Sequence, residues 1–576
     1  MKKLFRFIKP YMFWTLIAPL FMVGEVVMDL LQPMLMSDIV DVGIANGDKQ
    51  YIIMTCLKMV GAAIIGIIGG CGNMYFSTKA GYAFARDLRS ALYEKVQRFS
   101  FANIDKFKTG SLVTRLTNDV TQIQNAFTAV IRMLVRSPLL FIGGVISVLT
   151  ISPKLSLVVL CAMPLLGIMI YFVMTHAFPM FRVAQEKLDR TNVVMQENLA
   201  GVRVIKAFGR GEYERDRFST ANDDLMNINR KAQKLMATSF PIVNLIMNFT
   251  LLAMYMWGGN MVIDGSSGLQ SGDIMAFASY VTQILSSLTM SSFMLLNISR
   301  AKVSIDRVNE VLDTDIDIEG MDGSTCKVEE GRVEFQNVSF RYPGQGGEPV
   351  LKNISFTAEP GSTVAILGST GSGKSSLISL IPRLYDATEG RVLVDGRDVH
   401  DYTLDNLRGG IGVALQESVL FTGSIAENLR WGNDNASDEE VEQMAKIAQA
   451  DDFIRKTKDG YETELGQRGV NLSGGQKQRM CIARALVKKP KILILDDSTS
   501  AVDLTTEAEI QKNLRDVMGH CTVFIIAQRI SSVMDADKIL VMDNGQIVDS
   551  GTHEELKERC GVYREIVISQ LGKESA

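Results

Sequence analysis

The sequence predicts a multidomain membrane protein: an all-α six-helix transmembrane domain with long cytoplasmic helical extensions, followed by a soluble α/β domain. Apolar segments crowd into roughly the first 300 residues, whereas the rest has the strand-and-helix alternation of a soluble domain. At 576 residues the chain is too long for one compact core. Its net charge of −4 provides no basic surface, so we expect no nucleic-acid partner.

Six segments are long and apolar enough to cross a bilayer, whose core of about 30 Å needs about 20 helical residues. They are 13–37, 51–76, 126–151, 155–175, 240–262 and 274–298. Long polar stretches, 77–125 and 176–238, follow the second and fourth segments. Both stretches keep helical periodicity, so we expect the spanning helices to continue beyond the bilayer, with tips near 101–108 and 208–214.

Basic residues indicate the orientation of the chain. The first short loop carries Asp38, Asp41 and Asp48 against a single Lys49, whereas the N-terminus and both long stretches are rich in lysine and arginine. The positive-inside bias then places the N- and C-termini in the cytoplasm. We therefore expect a multi-pass protein of the cytoplasmic membrane, in contact with lipid.

Four ionisable residues lie in or near the predicted spans, where charge is costly and marks function. Glu25 and Asp29 share one face of the first helix, and Arg132 and Arg136 share one face of the third. With a rise of about 1.5 Å per residue, Glu25 and Arg136 lie at similar depths. We hypothesise that these acids and bases face a membrane cavity and pair there. The alternative is that Arg132 lies below the membrane and the acids line a wet channel.

A glycine-rich loop opens the soluble half. The linker 314–331 leads into a domain at 332–576, in which the apolar run 363–367 is followed by GSTGSGKSS and then by a helical pattern from Leu377 to Tyr385. A strand, this loop and a helix form the context of a phosphate-binding loop. The residues of the loop are Gly368, Ser369, Thr370, Gly371, Ser372, Gly373, Lys374, Ser375 and Ser376.

Each residue type in this loop suits a triphosphate. Gly371 and Gly373 permit the torsions that turn backbone N–H groups toward phosphate oxygens. Lys374 reaches the β- and γ-phosphates, and the hydroxyl of Ser375 ligates Mg²⁺. A buried strand in KILILDD ends in Asp496, which is placed to hold Mg²⁺ through water. We therefore predict an α/β P-loop ATP-binding domain with ATP and Mg²⁺ as its ligands.

The order of motifs resembles the ATP-binding domain of ABC transporters, and the preceding six spans resemble an exporter-type half-transporter. The motifs are the phosphate loop, Gln416 in ALQES, LSGGQ, LILDD and Asp503 in SAVD. The resemblance implies that Tyr342 stacks on adenine, that Gln416 joins Mg²⁺ to the membrane-domain interface, and that Asp503 communicates between two sites. It also implies a signature that closes over ATP bound to the opposite subunit, formed by Leu472, Ser473, Gly474, Gly475 and Gln476.

This resemblance implies a dimer, because each ATP lies between the phosphate loop of one chain and the signature of the other. The sequence contains one six-span unit and one ATP-binding domain, without an internal repeat, which corresponds to half of a dimeric transporter. We therefore expect a second half-transporter as the partner and a small molecule as the transported substrate.

Two residues at the reaction centre depart from the family pattern. Asp497 stands where the family has glutamate, taken as the base for the attacking water, and its carboxylate reaches about 1.5 Å less far. Gln528 in IIAQR stands where the family has a histidine that contacts the γ-phosphate; glutamine neither carries positive charge nor shuttles a proton. Gln467, just before the signature, replaces a common glutamate and concerns coupling.

With every binding residue intact, these changes predict the subunit with a degenerate ATP site in a heterodimeric, multidrug-type exporter of hydrophobic or amphipathic molecules. The partner would carry glutamate and histidine at the positions of Asp497 and Gln528, have a less regular signature, and perform most of the hydrolysis. A homodimer that hydrolyses ATP slowly through Asp497 is the alternative. Rival functions are an exporter-shaped importer and an ATP-binding regulatory or channel subunit.

Overall fold

Long helices build the first part of the chain, and sheets appear after residue 332. The computed structural model describes residues 2–264, 268–321, 323–343, 347–517 and 519–571, with their side chains except at 2, 3, 178, 291–300 and 517. The helices of the first part are α1 (Lys2–Ile8), α2 (Met12–Asp38), α3 (Lys49–Gln97), α4 (Phe101–Phe107), α5 (Thr109–Thr114), α6 (Val120–Ile151), α7 (Ser156–Ala200), α8 (Val202–Ala207), α9 (Gly211–Ile263) and α10 (Ser271–Asp313). The predicted continuation of the spans as long helices is confirmed, since α3, α7 and α9 have 49, 45 and 53 residues.

Several of these helices are long and apolar enough to cross a membrane. Within the described ranges there are five, namely Leu4–Ile44, Lys49–Gln97, Thr109–Ile151, Ser156–Ala200 and Gly211–Ile263. They contain the first five predicted spans, except that the helix of the fourth span begins at Ser156, one residue later than predicted. The sixth predicted span, 274–298, lies in the 43-residue helix α10, and its side chains from 291 onward are outside the described residues.

A glycine allows α2 and α3 to approach closely. A Cβ atom at Gly69 would lie 2.8 Å from the carbonyl oxygen of Phe21 and 2.9 Å from the nitrogen of Glu25. One turn further along α3, the amide of Asn73 donates a hydrogen bond of 2.8 Å to the carbonyl of Ala18. Small residues of this kind let membrane helices pack backbone against backbone. The contact fixes the rotation of α2 and hence the direction of Glu25.

The chain forms two compact units. The first comprises residues 1–95 and 110–313, and the second comprises 96–109 and 314–576. From the sequence we predict a membrane domain at 1–313, and this range includes the segment 96–109, which belongs to the second compact unit. It contains α4, at the first predicted tip. At the second tip the turn is shorter than 208–214, because α9 already begins at Gly211.

In the described residues of the second unit, the strands form three sheets. The strands are β1 (Val333–Phe340), β2 (Leu351–Ala358), β3 (Thr363–Gly368), β4 (Glu389–Val394), β5 (Arg397–Asp398), β6 (Ile411–Ala414), β7 (Gly423–Ser424), β8 (Glu464–Leu465), β9 (Ile492–Asp496), β10 (Thr522–Ile526), β11 (Lys538–Asp543) and β12 (Gln546–Gly551). A six-stranded sheet has the order β12-β11-β3-β10-β9-β6, a four-stranded antiparallel sheet has the order β2-β1-β4-β5, and β7 pairs with β8.

The second unit also contains helices, several of which pack on the six-stranded sheet. They are α11 (Lys374–Ser379), α12 (Leu404–Gly409), α13 (Ile425–Arg430), α14 (Asp438–Ile447), α15 (Asp451–Arg455), α16 (Gly474–Val487), α17 (Leu504–Val517), α18 (His553–Arg559) and α19 (Gly561–Leu571). Every residue of β9 and β10 is buried, which explains their unbroken apolar sequences. The strands β3, β10 and β9 run parallel, so their carboxyl ends meet at one edge of the sheet.

Candidate ATP site

The phosphate loop leaves the carboxyl end of β3 and enters α11. Gly371 has φ +87° and Gly373 has φ +95°, as the predicted glycine torsions require. A Cβ atom at Gly373 would also lie 2.8 Å from the side chain of Leu351. The helix that follows is shorter than its sequence pattern predicts, because it ends at Ser379 and Arg383 has φ +51°.

Lys374 lies inside the curve of the loop. Its Nζ donates hydrogen bonds to the carbonyl oxygens of Gly368 and Ser369, at 2.9 and 2.8 Å. Burial lowers the pKa of the Lys374 ammonium, and the nearby carboxylates of Asp497 and Asp496 oppose that shift. The loop thus holds a cation where phosphate oxygens would bring the compensating negative charge.

Asp496 ends β9 beside the start of α11. The hydroxyl of Ser375 donates to Asp496 Oδ1 at 3.1 Å. Asp496 is 6% exposed, and burial, followed by the charge of Asp497, raises the pKa of its carboxyl group. A hydroxyl, a carboxylate and the side-chain amide of Gln416 line the same cleft, and these are the oxygen donors that Mg²⁺ accepts. The donor set therefore fits this ion.

Asp497 and Gln528 are brought together by the strand register. Ile526 of β10 is opposite Asp496 of β9, so the residues that follow each strand are neighbours. The amide Nε2 of Gln528 donates to Asp497 Oδ2 at 2.8 Å, and Asp497 has φ +46°. Burial raises the pKa of the Asp497 carboxyl group, against the effect of the Gln528 bond. The two residues that depart from the family pattern therefore bond to each other.

One cleft with a volume of about 300 Å³ collects most of the predicted ATP residues. Its lining comprises Val350, Thr370, Gly371, Gly373, Lys374, Ser375, Ser376, Gln416, Asp496, Asp497, Ile526 and Gln528. Tyr342 lies at its margin, two residues beyond β1, where its hydroxyl is 2.9 Å from Ser376 Oγ. Sequence reasoning missed Val350 and Ile526, because an apolar strand residue has no chemical signature.

Comparison with known proteins identifies the family. Residues 15–288 match the family described as ABC transporter transmembrane region, and residues 351–500 match the family described as ABC transporter. The chain is 42% identical to an uncharacterized ABC transporter ATP-binding protein, YfiB, of Bacillus subtilis (strain 168), with 100% of both chains covered. This chain belongs to the ABC transporter family.

Two further comparisons describe which kind of ABC transporter it resembles. The chain is 33% identical to a putative multidrug export ATP-binding/permease protein, YgaD, of Bacillus subtilis (strain 168), with 99% of each chain covered. The structure of a bacterial Atm1-family ABC exporter with ATP bound has a TM-score of 0.81 to this chain, at 28% identity, over 98% of this chain and 99% of that one.

As an ABC transporter, the chain is a half-transporter with a transmembrane and an ATP-binding domain in an Atm1-like exporter fold. It is a multi-pass membrane protein of an ATP-hydrolysing transporter family, and its second domain binds ATP. A half-transporter needs a second half-transporter, with which it forms a dimer.

The ABC signature lies at the start of α16, away from the cleft of its own chain. None of the residues 472–476 is among the described residues that line that cleft. Ser473 Oγ accepts from the nitrogen of Gln476 at 3.4 Å, and Gln476 Oε1 accepts from the nitrogen of Ser473 at 2.8 Å, which caps the helix. A Cβ atom at Gly475 would lie 2.7 Å from the carbonyl oxygen of Ala501. Only glycine permits this approach of helix and loop.

Gln478 joins the signature helix to the loop after Asp497. Its Nε2 donates to Ser500 Oγ at 3.0 Å, and its Oε1 accepts from the nitrogen of Ala501 at 2.9 Å. Asp503, at the end of this loop, accepts two hydrogen bonds from Thr506, which lower the pKa of its carboxyl group. Sequence reasoning missed Gln478, because only the fold shows that this polar side chain is buried.

In the transmembrane unit, Arg136 of α6 pairs with both acids of α2. Its Nη2 lies 3.2 Å from Glu25 Oε1 and 3.1 Å from Asp29 Oδ2. Gln283 of α10 donates to the backbone carbonyl of Asp29 at 3.4 Å. In the part of the chain that the structure describes, Arg132 forms no ion pair. The structure thus brings together three of the four charges, and their role in a membrane cavity stays a prediction.

The pKa of Asp497 leads to a pH-dependent prediction. A carboxyl group with a raised pKa destabilises the folded state when it is charged, and this cost disappears as the pH falls below its unfolded pKa. We expect Asp497→Asn to raise the thermal unfolding midpoint of the ATP-free protein at pH 7.5, with a gain that shrinks toward pH 4. About 1 kcal/mol corresponds to about 2–4 °C for a domain of this size.

The matched control is Asp503→Asn, for which the expected change in stability has the opposite sign. The pKa of Asp503 is lowered, so its charged form stabilises the fold above its unfolded pKa. This variant loses stability at pH 7.5, and the loss shrinks as the pH falls. Unfolding curves of both variants across this pH range check the prediction; a pH-independent gain for Asp497→Asn contradicts it.

The ion pairs of Arg136 lead to a second prediction. Arg136→Gln leaves two carboxylates facing each other without a counter-charge. Because the side chain of Arg136 is 38% exposed and that of Glu25 is 15% exposed, the cost is below the value of about 3–5 kcal/mol for a fully buried pair. We expect a lower unfolding midpoint in detergent, restored in the triple variant with Glu25→Gln and Asp29→Asn. Arg132→Gln is the control and changes the midpoint less. An equal loss in Arg132→Gln would sink the assignment.

Proposed function

We propose that this ABC transporter chain is one half of a heterodimer that exports hydrophobic or amphipathic small molecules, and that its own ATP site is degenerate. The observation that carries the proposal is the hydrogen bond of 2.8 Å between Gln528 and Asp497, in a cleft lined by most of the predicted ATP-binding residues. The site then holds ATP for long periods, while the partner chain supplies most of the turnover.

The geometry at Asp497 supports slow hydrolysis. A general base needs a free oxygen within hydrogen-bond reach of its water and a pKa suited to accept the proton. The side chain of Asp497 is shorter than the glutamate of the family pattern, and one of its carboxylate oxygens accepts a hydrogen bond from Gln528. Glutamine also carries no charge with which to stabilise a γ-phosphate that is leaving.

The binding half of the site supports retention of nucleotide. Lys374 is held by two loop carbonyls, and Ser375, Gln416 and Asp496 would hold Mg²⁺, which neutralises charge on the phosphates when bound. Lys374, Asp496 and Asp497 all have pKa values shifted by burial toward their neutral forms. Bound Mg-ATP would supply opposite charges to this buried group, which favours occupancy.

The signature supports a role at the site of the partner chain. Ser473, Gly474 and Gly475 are intact, and α16 presents them away from the cleft of this chain. In ABC dimers the signature completes the ATP site of the other subunit. A chain with a weak site and a regular signature is therefore suited to a partner with a competent site and a less regular signature.

The transported molecule is inferred from the membrane part. The relative described as a putative multidrug export protein supports export of apolar or amphipathic compounds. Arginine paired with Glu25 and Asp29 would give an inward-facing cavity a polar point in otherwise apolar walls.

The proposed orientation follows from the basic residues. With both termini in the cytoplasm, the ATP domain would lie on the side of the membrane where ATP is found.

The asymmetry predicts unequal effects of matched lysine variants. In the co-expressed heterodimer, Lys374→Ala in this chain should reduce ATPase activity by about 2-fold, because its own site contributes little turnover. The equivalent change in the partner chain should reduce it by about 10²- to 10³-fold, the usual effect of losing a transition-state donor. ATPase assays in nanodiscs measure both. Equal losses, or co-purification of two differently tagged copies of this chain, favour the homodimer.

A gain-of-function variant tests the two atypical residues. Asp497→Glu combined with Gln528→His should raise the turnover of a heterodimer whose partner site carries the lysine variant by about 10-fold, below the 10²- to 10⁴-fold of an ideal general base. Asp497→Glu alone is the control, since the glutamate then lacks the histidine. An unchanged rate in the double variant means that these residues do not limit hydrolysis.

A further inference from the structure

A row of aromatic side chains connects the margin of the ATP cleft to α4. The hydroxyl of Tyr342 is 2.9 Å from Ser376 Oγ on α11. The ring of Tyr385 stands edge-on to that of Tyr342, with centroids 5.2 Å apart and planes at 88°. On the other side, the centroid of Phe101 in α4 is 6.0 Å from that of Tyr385. All four residues belong to the second compact unit.

Tyr385 also holds α4 by a hydrogen bond. Its hydroxyl donates to Asp105 Oδ2 at 2.8 Å. The ring is 9% exposed, and burial, followed by the Asp105 bond, raises the pKa of the Tyr385 hydroxyl, which therefore stays protonated and donates. A charge-assisted hydrogen bond of this kind is stronger than one between neutral groups.

The backbone around Tyr385 is anchored independently. Arg383 is 5% exposed, bonds to Asp386 at 2.7 Å and donates to the carbonyl of Glu319 in the linker at 2.8 Å. From α4, Asn103 donates to the carbonyl of Asp315 in the same linker at 3.3 Å. The segment 383–386 is thus fixed, so a displacement of the Tyr342 ring acts on the Tyr385 side chain and not on its backbone.

We propose that Tyr385 is a positioning residue that couples occupancy of the adenine site to α4 through its hydrogen bond to Asp105. The proposal rests on the assignment of Tyr342 as the residue that stacks on adenine. A purine on the face of Tyr342 fixes a ring that otherwise bonds to Ser376, and the edge contact passes this constraint to Tyr385. The base itself, and not the triphosphate alone, therefore controls the order of α4. In the chain, α4 directly follows the long helix α3, so this effect lies next to a membrane-spanning helix.

The test compares two ligands that share phosphates but differ in the base. The full-length dimer in lipid nanodiscs is incubated with Mg²⁺ and either AMP-PNP or inorganic tripolyphosphate, and amide hydrogen exchange is followed in residues 97–107 and 368–380 of this chain. We expect both ligands at saturation to protect 368–380, and AMP-PNP to slow exchange in 97–107 by about 2- to 10-fold more than tripolyphosphate, the range of one net hydrogen bond.

Three variants assign the effect to the side chains. Asp105→Ala should abolish the difference between the ligands in 97–107, and Tyr385→Phe, which keeps the ring and removes only the hydroxyl, should do the same. Asp105→Asn still accepts a hydrogen bond and should retain the difference. Unchanged protection of 368–380 in all three shows that the variants fold and bind.

Two results overturn the coupling. One is equal protection of 97–107 by both ligands in the unmodified protein, and the other is a ligand difference that survives in Asp105→Ala and Tyr385→Phe. If AMP-PNP leaves 368–380 unprotected, the assignment of the ATP site fails as well. The two failures are therefore distinguishable, because the first leaves the protection of 368–380 intact.

Discussion

The parallel pairing of β9 with β10 sets Asp496 opposite Ile526, and the loops that leave these strands inherit that spacing. Asp497 and Gln528 then meet within hydrogen-bond distance, and Asp496 reaches Ser375 on α11. A sheet slipped by one residue would break both contacts, because successive side chains of a strand point to opposite faces. The register of these two strands, which are buried along their whole length, thus positions the chemistry at their ends.

Burial of charge gives this site a bias toward its ligand. Two carboxyl groups with raised pKa values and an ammonium with a lowered one are costly without compensating partners. A bound Mg²⁺ would compensate the negative charge of the two carboxylates, and a bound phosphate would compensate the positive charge of the lysine. In the proposed degenerate site, the short side chain of Asp497 and its bond to Gln528 would slow hydrolysis and leave binding intact. Affinity and turnover would then be separable properties of this site.

The ATP cleft could be predicted from the sequence because each of its parts is a short motif at a strand end. The phosphate loop, Asp496 and the atypical pair all follow apolar runs, and parallel strands gather such ends at one edge. The depth argument likewise anticipated that Glu25 and Arg136 would be neighbours. Contacts between distant segments could not be predicted from the sequence. Tyr385 and Asp105 are separated by 280 positions, and no local sequence pattern indicates that they form a hydrogen bond.

The close approach of Gly475 to Ala501 has a mechanical consequence. With less than a methyl group of space between helix and loop, and with Gln478 bonded to both Ser500 and Ala501, α16 and the loop that begins at Asp497 cannot slide past each other. Helix and loop therefore move as one rigid element, with the signature at one end and the carboxylate of Asp497 at the other. A displacement of the signature is transmitted to Asp497 through these contacts. The signature of this chain is thereby mechanically linked to its own Asp497.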